Sequence, residues 1–272
     1  MAALDRYAVI GNPIAHSKSP DIHAAFALQT GHSMQYERLL APLDGFDSTL
    51  RGFIAAGAAG ANITVPFKLE AHALATSLSE RAHAAGAVNT LIFDGSEIAG
   101  DNTDGIGLVT DIVCNAGLQL QNKRILLLGA GGAARGVLLP LLQQQPSQLV
   151  IANRSHDKAV TLASQFAPHG AIQAIRFAQL DGIFDVVINA TAASLADALP
   201  PISPELFAVH TLAYDMMYAA VPTIFLRFAA AAGAQTRDGL GMLVEQAAES
   251  FFLWRGVRPQ TEMVLKRLRA AL

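Results

Sequence analysis

A single cysteine, Cys114, stands in the whole chain, so no disulfide can form within it, and a reducing compartment is expected. Histidines are present, but His16, His23, His32, His72 and His83 show no metal-ligand spacing, and one cysteine adds nothing to them. No metal site is expected. No long basic run occurs and the formal net charge is −3, which makes nucleic acid an unexpected partner. The alanine-rich stretch from Tyr214 to Ala234 is interrupted by Asp215, Pro222 and Arg227, too broken for a membrane span. Asp5 and Arg6 precede any apolar run, so no signal peptide is expected. A Gly-x-Ser-x-Gly elbow is missing, so nothing supports Ser/His/Asp hydrolysis. What remains is a soluble, cytoplasmic, globular chain. Its 272 residues, 52% of them hydrophobic, suffice for one large domain or two modest ones. A chain of this size buries on the order of 75% of its unfolded surface and needs no metal or cross-link to hold a core.

The densest signal lies between Arg124 and Arg154. An apolar run, Ile125 to Leu128, meets Gly129-Ala130-Gly131-Gly132, followed by a helix-like segment and a second apolar run, Leu149 to Ala152. Strand, glycine turn, helix and strand in that order are the layout of a dinucleotide site. Gly129 permits the tight turn, Gly131 lets backbone approach a pyrophosphate, and Ala134 takes the position where a small residue allows close helix–strand packing. Free N–H groups at the helix start would hold the phosphates. The competing reading is a glycine turn with no ligand. Where an NAD site usually carries an acid for the ribose hydroxyl, this chain has Asn153 and Arg154, and an arginine there suits the 2′-phosphate of NADP(H). Ser155 and Lys158 are placed to join it, though Lys158 reads equally as a solvent-facing lysine.

Around this unit the pattern is α/β. Before it, Tyr7 to Ile10 and Asn62 to Val65 read as strands. Pro20 to Leu28 reads as a helix with Ser19 as N-cap and Gly31 past its end. Phe46, Leu50, Phe53 and Ile54 have helical spacing, and Val88 to Phe93 with Glu97 to Ala99 read as a hairpin around Asp94-Gly95. A helical pattern carrying Leu108, Val109, Ile112 and Val113 leads toward the glycine turn. After it, strands at 184–188 and 211–214, weaker ones at 171–175 and 234–236, and a helix at 223–232 complete a plausible six-stranded parallel sheet. Gly239-Leu240-Gly241 opens a long helix with Leu243, Ala247, Phe251 and Trp254, and a second helix covers 262–272. These two exceed what the nucleotide sheet needs and are expected to pack back on the N-terminal part. The expected fold is an N-terminal α/β domain, residues 1–103 and 239–272, plus a Rossmann-like doubly wound parallel-sheet domain, residues 104–238.

Four segments outside the glycine turn carry chemistry. Lys68 follows an apolar strand stopped by Pro66; a lysine reaching a cleft from there can exchange protons, yet taken alone it reads first as a surface lysine starting a helix. In Gly100-Asp101-Asn102-Thr103-Asp104-Gly105, either aspartate can be a helix cap or a carboxylate that binds hydroxyls beside a lysine. Asn89 is polar inside an apolar run, and Ser17 and Ser19 flank Lys18 before a helix, where one N-cap explains only one of the two serines.

In this order the pieces resemble the shikimate dehydrogenase family over essentially the whole chain. The resemblance rests on Gly11-Asn12-Pro13 with Ser17-Lys18-Ser19, Asn62 to Lys68, Ala87 to Thr90, Gly100 to Gly105, Gly129 to Arg135, Asn153-Arg154-Ser155, Asn189-Ala190-Thr191, Tyr214-Asp215-Met216 and Asp238 to Gln246. It implies reversible NADPH-linked reduction of 3-dehydroshikimate to shikimate, a small-molecule partner, and a monomer or homodimer, and it makes the N-terminal α/β domain the substrate domain. By the resemblance, Ser17 and Ser19 bind the substrate carboxylate with Tyr218 nearby, and Thr64, Asn89, Asp104 and Gln246 bind ring hydroxyls. Lys68 is the acid/base group, paired with Asp104. Gly129, Ala130, Gly131, Gly132 and Ala133 form the pyrophosphate loop. Asn153, Arg154, Ser155, His156, Asp157 and Lys158 form the adenosine-phosphate loop. Met216 and Gly239 lie beside the nicotinamide, and Glu80 borders the cofactor. One departure stands out: Ala192-Ala193-Ser194 follows Thr191 where the family usually has serines and a glycine. The segment Val221 to Ile224 also departs from the usual proline and threonine placement. Two rivals are weighed. A quinate/shikimate paralogue using NAD or either cofactor is opposed by Arg154, which argues against NAD preference, and by Ser19, where quinate-using relatives often carry threonine. A non-catalytic nucleotide sensor is opposed by the intact Lys68 and Asp104.

Overall fold

Short apolar runs alternating with helical patterns produce two six-stranded sheets, one in each of two compact units. The computed structural model describes residues 4–191 and 198–272. The first unit comprises Met1–Gly107 and Val244–Leu268, the second Leu108–Leu243 and Arg269–Leu272.

The first unit runs β1 (Asp5–Gly11), α1 (Ser19–Thr30), β2 (Met34–Leu40), α2 (Phe46–Ala55), β3 (Ala58–Ile63), α3 (Lys68–Leu74), β4 (Ser77–Leu78), α4 (Glu80–Ala85), β5 (Thr90–Asp94) and β6 (Glu97–Asp101). Then α5 (Asp104–Thr110) begins. The sheet order is β2-β1-β3-β5-β6-β4. β1 pairs in parallel with β2 and β3, whereas β3, β5 and β6 form an antiparallel run. The expected hairpin is present, with Gly95 in the left-handed region at its turn. The strands β2 and β4 were not expected from the sequence. β2 lies at the sheet edge with only partly buried residues, so its apolar signal is weak.

Helix α1 corrects one expectation. It ends at a left-handed Gly31 as expected, but Ser19 is its first residue and not its cap. Ser17 explains this: its hydroxyl oxygen accepts the Ser19 N–H at 3.3 Å and its hydroxyl donates to Ser19 Oγ at 3.2 Å, so the serines bond each other instead of the helix's later N–H groups.

The second unit contains β7 (Arg124–Leu128), α6 (Gly132–Gln143), β8 (Gln148–Ala152), α7 (His156–Phe166), β9 (Ile172–Ala174), β10 (Val186–Asn189), β11 (Leu212–Asp215), α8 (Ile224–Ala231) and β12 (Gln235–Asp238). Its strands are all parallel in the order β12-β11-β10-β7-β8-β9. Numbered from β7, this is the 3-2-1-4-5-6 order of a doubly wound dinucleotide fold. Ile125 to Leu128 and Leu149 to Ala152 are fully buried, as strands covered on both faces must be.

The helical pattern that begins before Gly105 is interrupted. After Thr110 the backbone widens into a π-helical turn over Asp111–Asn115. The turn opens on a residue with tertiary partners. Asp111 is fully buried, and its carboxylate takes two N–H donors from Arg237, at 2.7 and 2.5 Å, and the Tyr214 hydroxyl at 2.8 Å.

Helices α9 (Leu240–Arg255) and α10 (Glu262–Ala270) close the chain. From Val244 onward α9 packs on the first sheet. Trp254 donates to the Leu91 carbonyl at 3.0 Å and lies so close to Gly60 that a side chain there would strike the indole. No helix among the described residues is long and apolar enough to cross a membrane.

Candidate active site

In the first unit the ends of β3 and β6, the segment before β5 and the buried face of α9 bring five polar motif residues together. Phe67 anchors one side. It is fully buried and stacks on Phe46 with ring centroids 4.9 Å apart, which fixes the start of α3 and therefore Lys68. The Lys68 ammonium donates to Asp104 Oδ2 at 2.5 Å. The other carboxylate oxygen, Oδ1, accepts from Asn89 Nδ2 at 2.8 Å. Asn89 Oδ1 in turn accepts the Thr103 N–H at 2.9 Å, and Asn89 Nδ2 and the Thr103 hydroxyl both reach Gln246 Oε1, at 3.5 and 3.3 Å. Lys68, Asn89, Thr103, Asp104 and Gln246 thus form one connected cluster.

Residue type and spacing leave Asp101 and Asp104 as alternatives and the resemblance names Asp104; in the structure their partners differ. Asp101 is buried and already engaged by Arg81 through two N–H groups at 2.7 and 2.8 Å, and by the Ser79 hydroxyl at 2.6 Å. Arg81 continues to Glu249 at 2.8 Å. Asp104 is the carboxylate left facing the lysine.

Ser17 and Ser19 lie at the β1–α1 connection with their hydroxyls 3.2 Å apart. The Ser17 carbonyl accepts two N–H groups of Arg38, at 2.9 and 2.6 Å, so a guanidinium holds this loop from β2. Thr64 follows β3, its N–H on the Ile10 carbonyl at 2.9 Å, and its methyl occupies the space that a side chain at Gly11 would need.

Behind the cluster runs a buried polar layer that sequence reading missed. Asn62 Nδ2 donates to Ser250 Oγ, Thr90 Oγ1 and the Asn89 carbonyl, and its Oδ1 accepts the Tyr36 hydroxyl at 2.7 Å. Burial raises the Tyr36 hydroxyl well above its usual pKa, against a bond to Ser19 that lowers it. The available signal was Ser250, a polar residue between Ala247, Ala248 and Phe251 on the buried face of α9.

The second unit holds the nucleotide-type features. Gly129 has φ +112°, and a side chain there would meet the Ala190 carbonyl and Thr191 at 3.2 Å. Gly131 precedes α6 without a side-chain cap, and Gly131 and Gly132 border open space. The first N–H groups of a twelve-residue helix therefore face a surface where backbone can touch an anion. Ala130 lies in the turn and Ala133 in the first turn of α6. At the end of β8, Asn153 Nδ2 donates to the Ser155 carbonyl at 2.9 Å and shapes the loop that leaves Arg154, Ser155, Asp157 and Lys158 exposed, with His156 half-buried. Both loops sit at carboxyl ends of strands, β7 beside the switch point between β8 and β10. This donor set fits a dinucleotide whose ribose carries a phosphate.

Met216 and Gly239, which follow β11 and β12, are in contact: a side chain at Gly239 would overlap the Met216 carbonyl. Tyr218 is half-buried in the loop after β11, its hydroxyl raised by burial and then by the charge of Asp238. Glu80 is exposed in the first turn of α4 in the first unit. Ala192-Ala193-Ser194 lies outside the described residues. Among the described residues no group of three or more His, Cys, Asp or Glu side chains is arranged to hold a metal ion.

A doubly wound parallel sheet with an open glycine turn, joined in one chain to a unit bearing an ammonium–carboxylate pair, defines a dinucleotide-linked oxidoreductase. Comparisons with known proteins identify which kind. Family models match along the chain: the shikimate dehydrogenase substrate binding domain at residues 9–91, shikimate / quinate 5-dehydrogenase at 112–196, and the shikimate 5′-dehydrogenase C-terminal domain at 239–269. A shikimate dehydrogenase (NADP(+)) of Herminiimonas arsenicoxydans is 68% identical over 268 residues, 98% of each chain. One from Janthinobacterium sp. (strain Marseille) is 65% identical over the same share. Among solved structures, an enzyme from Pseudomonas putida superposes with TM-score 0.93 at 49% identity, covering 97% of this chain and 98% of its own. The chain belongs to the shikimate dehydrogenase family.

Proposed function

We propose that the chain catalyses the reversible NADPH-linked reduction of 3-dehydroshikimate to shikimate in the cytoplasm, as a monomer or homodimer. The first unit would hold the substrate and the second the cofactor. The carrying observation is the Lys68–Asp104 pair at 2.5 Å, clamped by Asn89 and bordered by Gln246. NADPH, which the Gly129–Ala133 turn and the Arg154 loop would hold, would supply the hydride to the ketone carbon. As that carbon accepts the electron pair, charge develops on the carbonyl oxygen. The Lys68 ammonium stabilises this charge and transfers its proton to the oxygen, giving the secondary alcohol. Asp104 keeps Lys68 aimed and accepts a hydroxyl hydrogen bond with its remaining lone pairs. Ser17 and Ser19 offer two hydroxyls to the carboxylate, in a loop held by the positive charge of Arg38. In the reverse direction Lys68 takes the hydroxyl proton. Supporting the cofactor assignment, Arg154 stands in the loop just after β8, where an acid would select NAD.

Initial rates with shikimate and with quinate, each with NADP and with NAD, test this reading. Shikimate with NADP should be fastest by at least about tenfold, a preference of roughly 1.4 kcal/mol. Equal rates with NAD, or faster turnover of quinate, would overturn it.

A further inference from the structure

The side chain of Asp104 is oriented by Lys68 and Asn89, but its backbone must also be placed, because Asp104 is the first residue of α5 and follows an irregular segment. We infer that Asn102 is the positioning residue of the acid/base pair. It is 1% exposed and touches neither Lys68 nor the Asp104 carboxylate by any hydrogen bond. Its Oδ1 accepts the Asp104 N–H at 3.2 Å, and its Nδ2 donates to the Ala87 carbonyl at 3.0 Å. Its own N–H donates to Asp101 Oδ1 at 2.6 Å, the oxygen that Arg81 and Ser79 also hold.

These three bonds join segments that each carry a site residue. Ala87 begins the stretch that delivers Asn89, and the Val88 N–H donates to the Lys68 carbonyl at 2.9 Å. The Asn89 N–H donates to the Asp101 carbonyl at 3.0 Å. Lys68, Asn89 and Asp104 are therefore linked through backbone, and Asn102 is the one side chain that spans from the 87–89 segment to the Asp104 N–H. The role needs a short side chain with one acceptor and one donor. Aspartate has no donor and serine is too short to span both partners, while glutamine carries an extra methylene that a residue buried to this degree has no room for. The segment stays rigid because Asp101 is tied into the Arg81–Glu249 ion pairs, so displacement of Asn102 falls on Asp104.

The inference rests on the dehydrogenase reading above, and the test separates the two. The full chain and its Asn102→Ala and Asn102→Ser variants are compared in shikimate oxidation with NADP, below their melting temperatures. Asn102→Ala should lower kcat by about tenfold or more while KM for shikimate changes by less than about threefold, because placement of the reacting pair matters most in the transition state. Asn102→Ser retains a hydroxyl acceptor for the Asp104 N–H and should recover part of the lost kcat. If the alanine variant does not fold, the serine variant carries the test through the same kcat-against-KM split. A lowered melting temperature with kcat at the parent level would make Asn102 purely structural and overturn the inference, as would an effect confined to KM. A parent chain that turns over neither shikimate nor 3-dehydroshikimate would overturn the functional reading itself.

Discussion

At the scale of single residues, chemistry here depends on which partner each charge finds. Lys68 alone in sequence is indistinguishable from a lysine that opens a surface helix. Its acid/base reading came from the resemblance, and the structure adds a carboxylate at 2.5 Å that is itself held by an amide at 2.8 Å. Lys68→Ala should therefore remove transition-state stabilisation, with kcat falling by about 10²–10⁴-fold and KM for shikimate little changed. Steady-state kinetics at saturating NADP decides this, and a rise in KM with kcat intact would reassign Lys68 to binding. Asp101 shows why residue type was not enough. It stands three positions from Asp104 in the same polar run, and only the approach of Arg81, twenty positions earlier, commits it to a structural ion pair. No local pattern encodes that meeting.

At the scale of elements, legibility followed burial. The strands β7 and β8 and the turn between them were plain in sequence, because both faces are covered and the run of apolar residues is unbroken. The edge strand β2, half-buried, was not. The π-turn at Asp111 was invisible for a different reason: the pattern continues as a helix, and the partner of its first residue is a remote arginine on β12. Gly241, in the first turn of α9, belongs to the same arrangement, since a side chain there would overlap the Asp111 carboxylate. Alanine in place of glycine in a helix gains about 1 kcal/mol of propensity. Breaking a buried ion pair costs about 3–5 kcal/mol. The second term wins, so Gly241→Ala should destabilise the chain by about 2 kcal/mol or more, visible as a fall in thermal midpoint. An unchanged or raised midpoint would show that Asp111 moves aside without cost.

At the scale of the whole molecule, stability should depend on pH through a buried imidazole. His23 is fully buried on α1, stacked on Tyr36 at 4.3 Å and 5.3 Å from Trp254. Burial lowers its pKa to about 3, opposed by Asn62. An unfolded chain returns this group to the ordinary value of 6.5, so below that pH the unfolded state takes up a proton that the folded state refuses. Stability from His23 is complete above pH 6.5 and is lost as pH falls toward 3, amounting to about 2 kcal/mol at pH 5. Urea denaturation at pH 7 and pH 5, followed by Trp254 fluorescence, should show a larger acid loss in the parent than in His23→Phe. Equal losses would mean that His23 is not held neutral by the fold.

The sequence by itself determined the fold class, the parallel sheet of the second unit, the glycine turn with Arg154 at the end of the next strand, and the set of short motifs that mark the family. These are local properties, written in hydrophobic periodicity and in residues that only certain backbone conformations admit. The tertiary structure alone decided that Arg81 engages Asp101, that Asn102 ties the Asp104 backbone to the Ala87 carbonyl, that Ser250 on the last long helix completes the polar layer, and that the helix after Thr110 widens at Asp111. Each of these depends on groups far apart in the chain meeting where water is excluded, and there a hydrogen bond or an ion pair has no substitute partner.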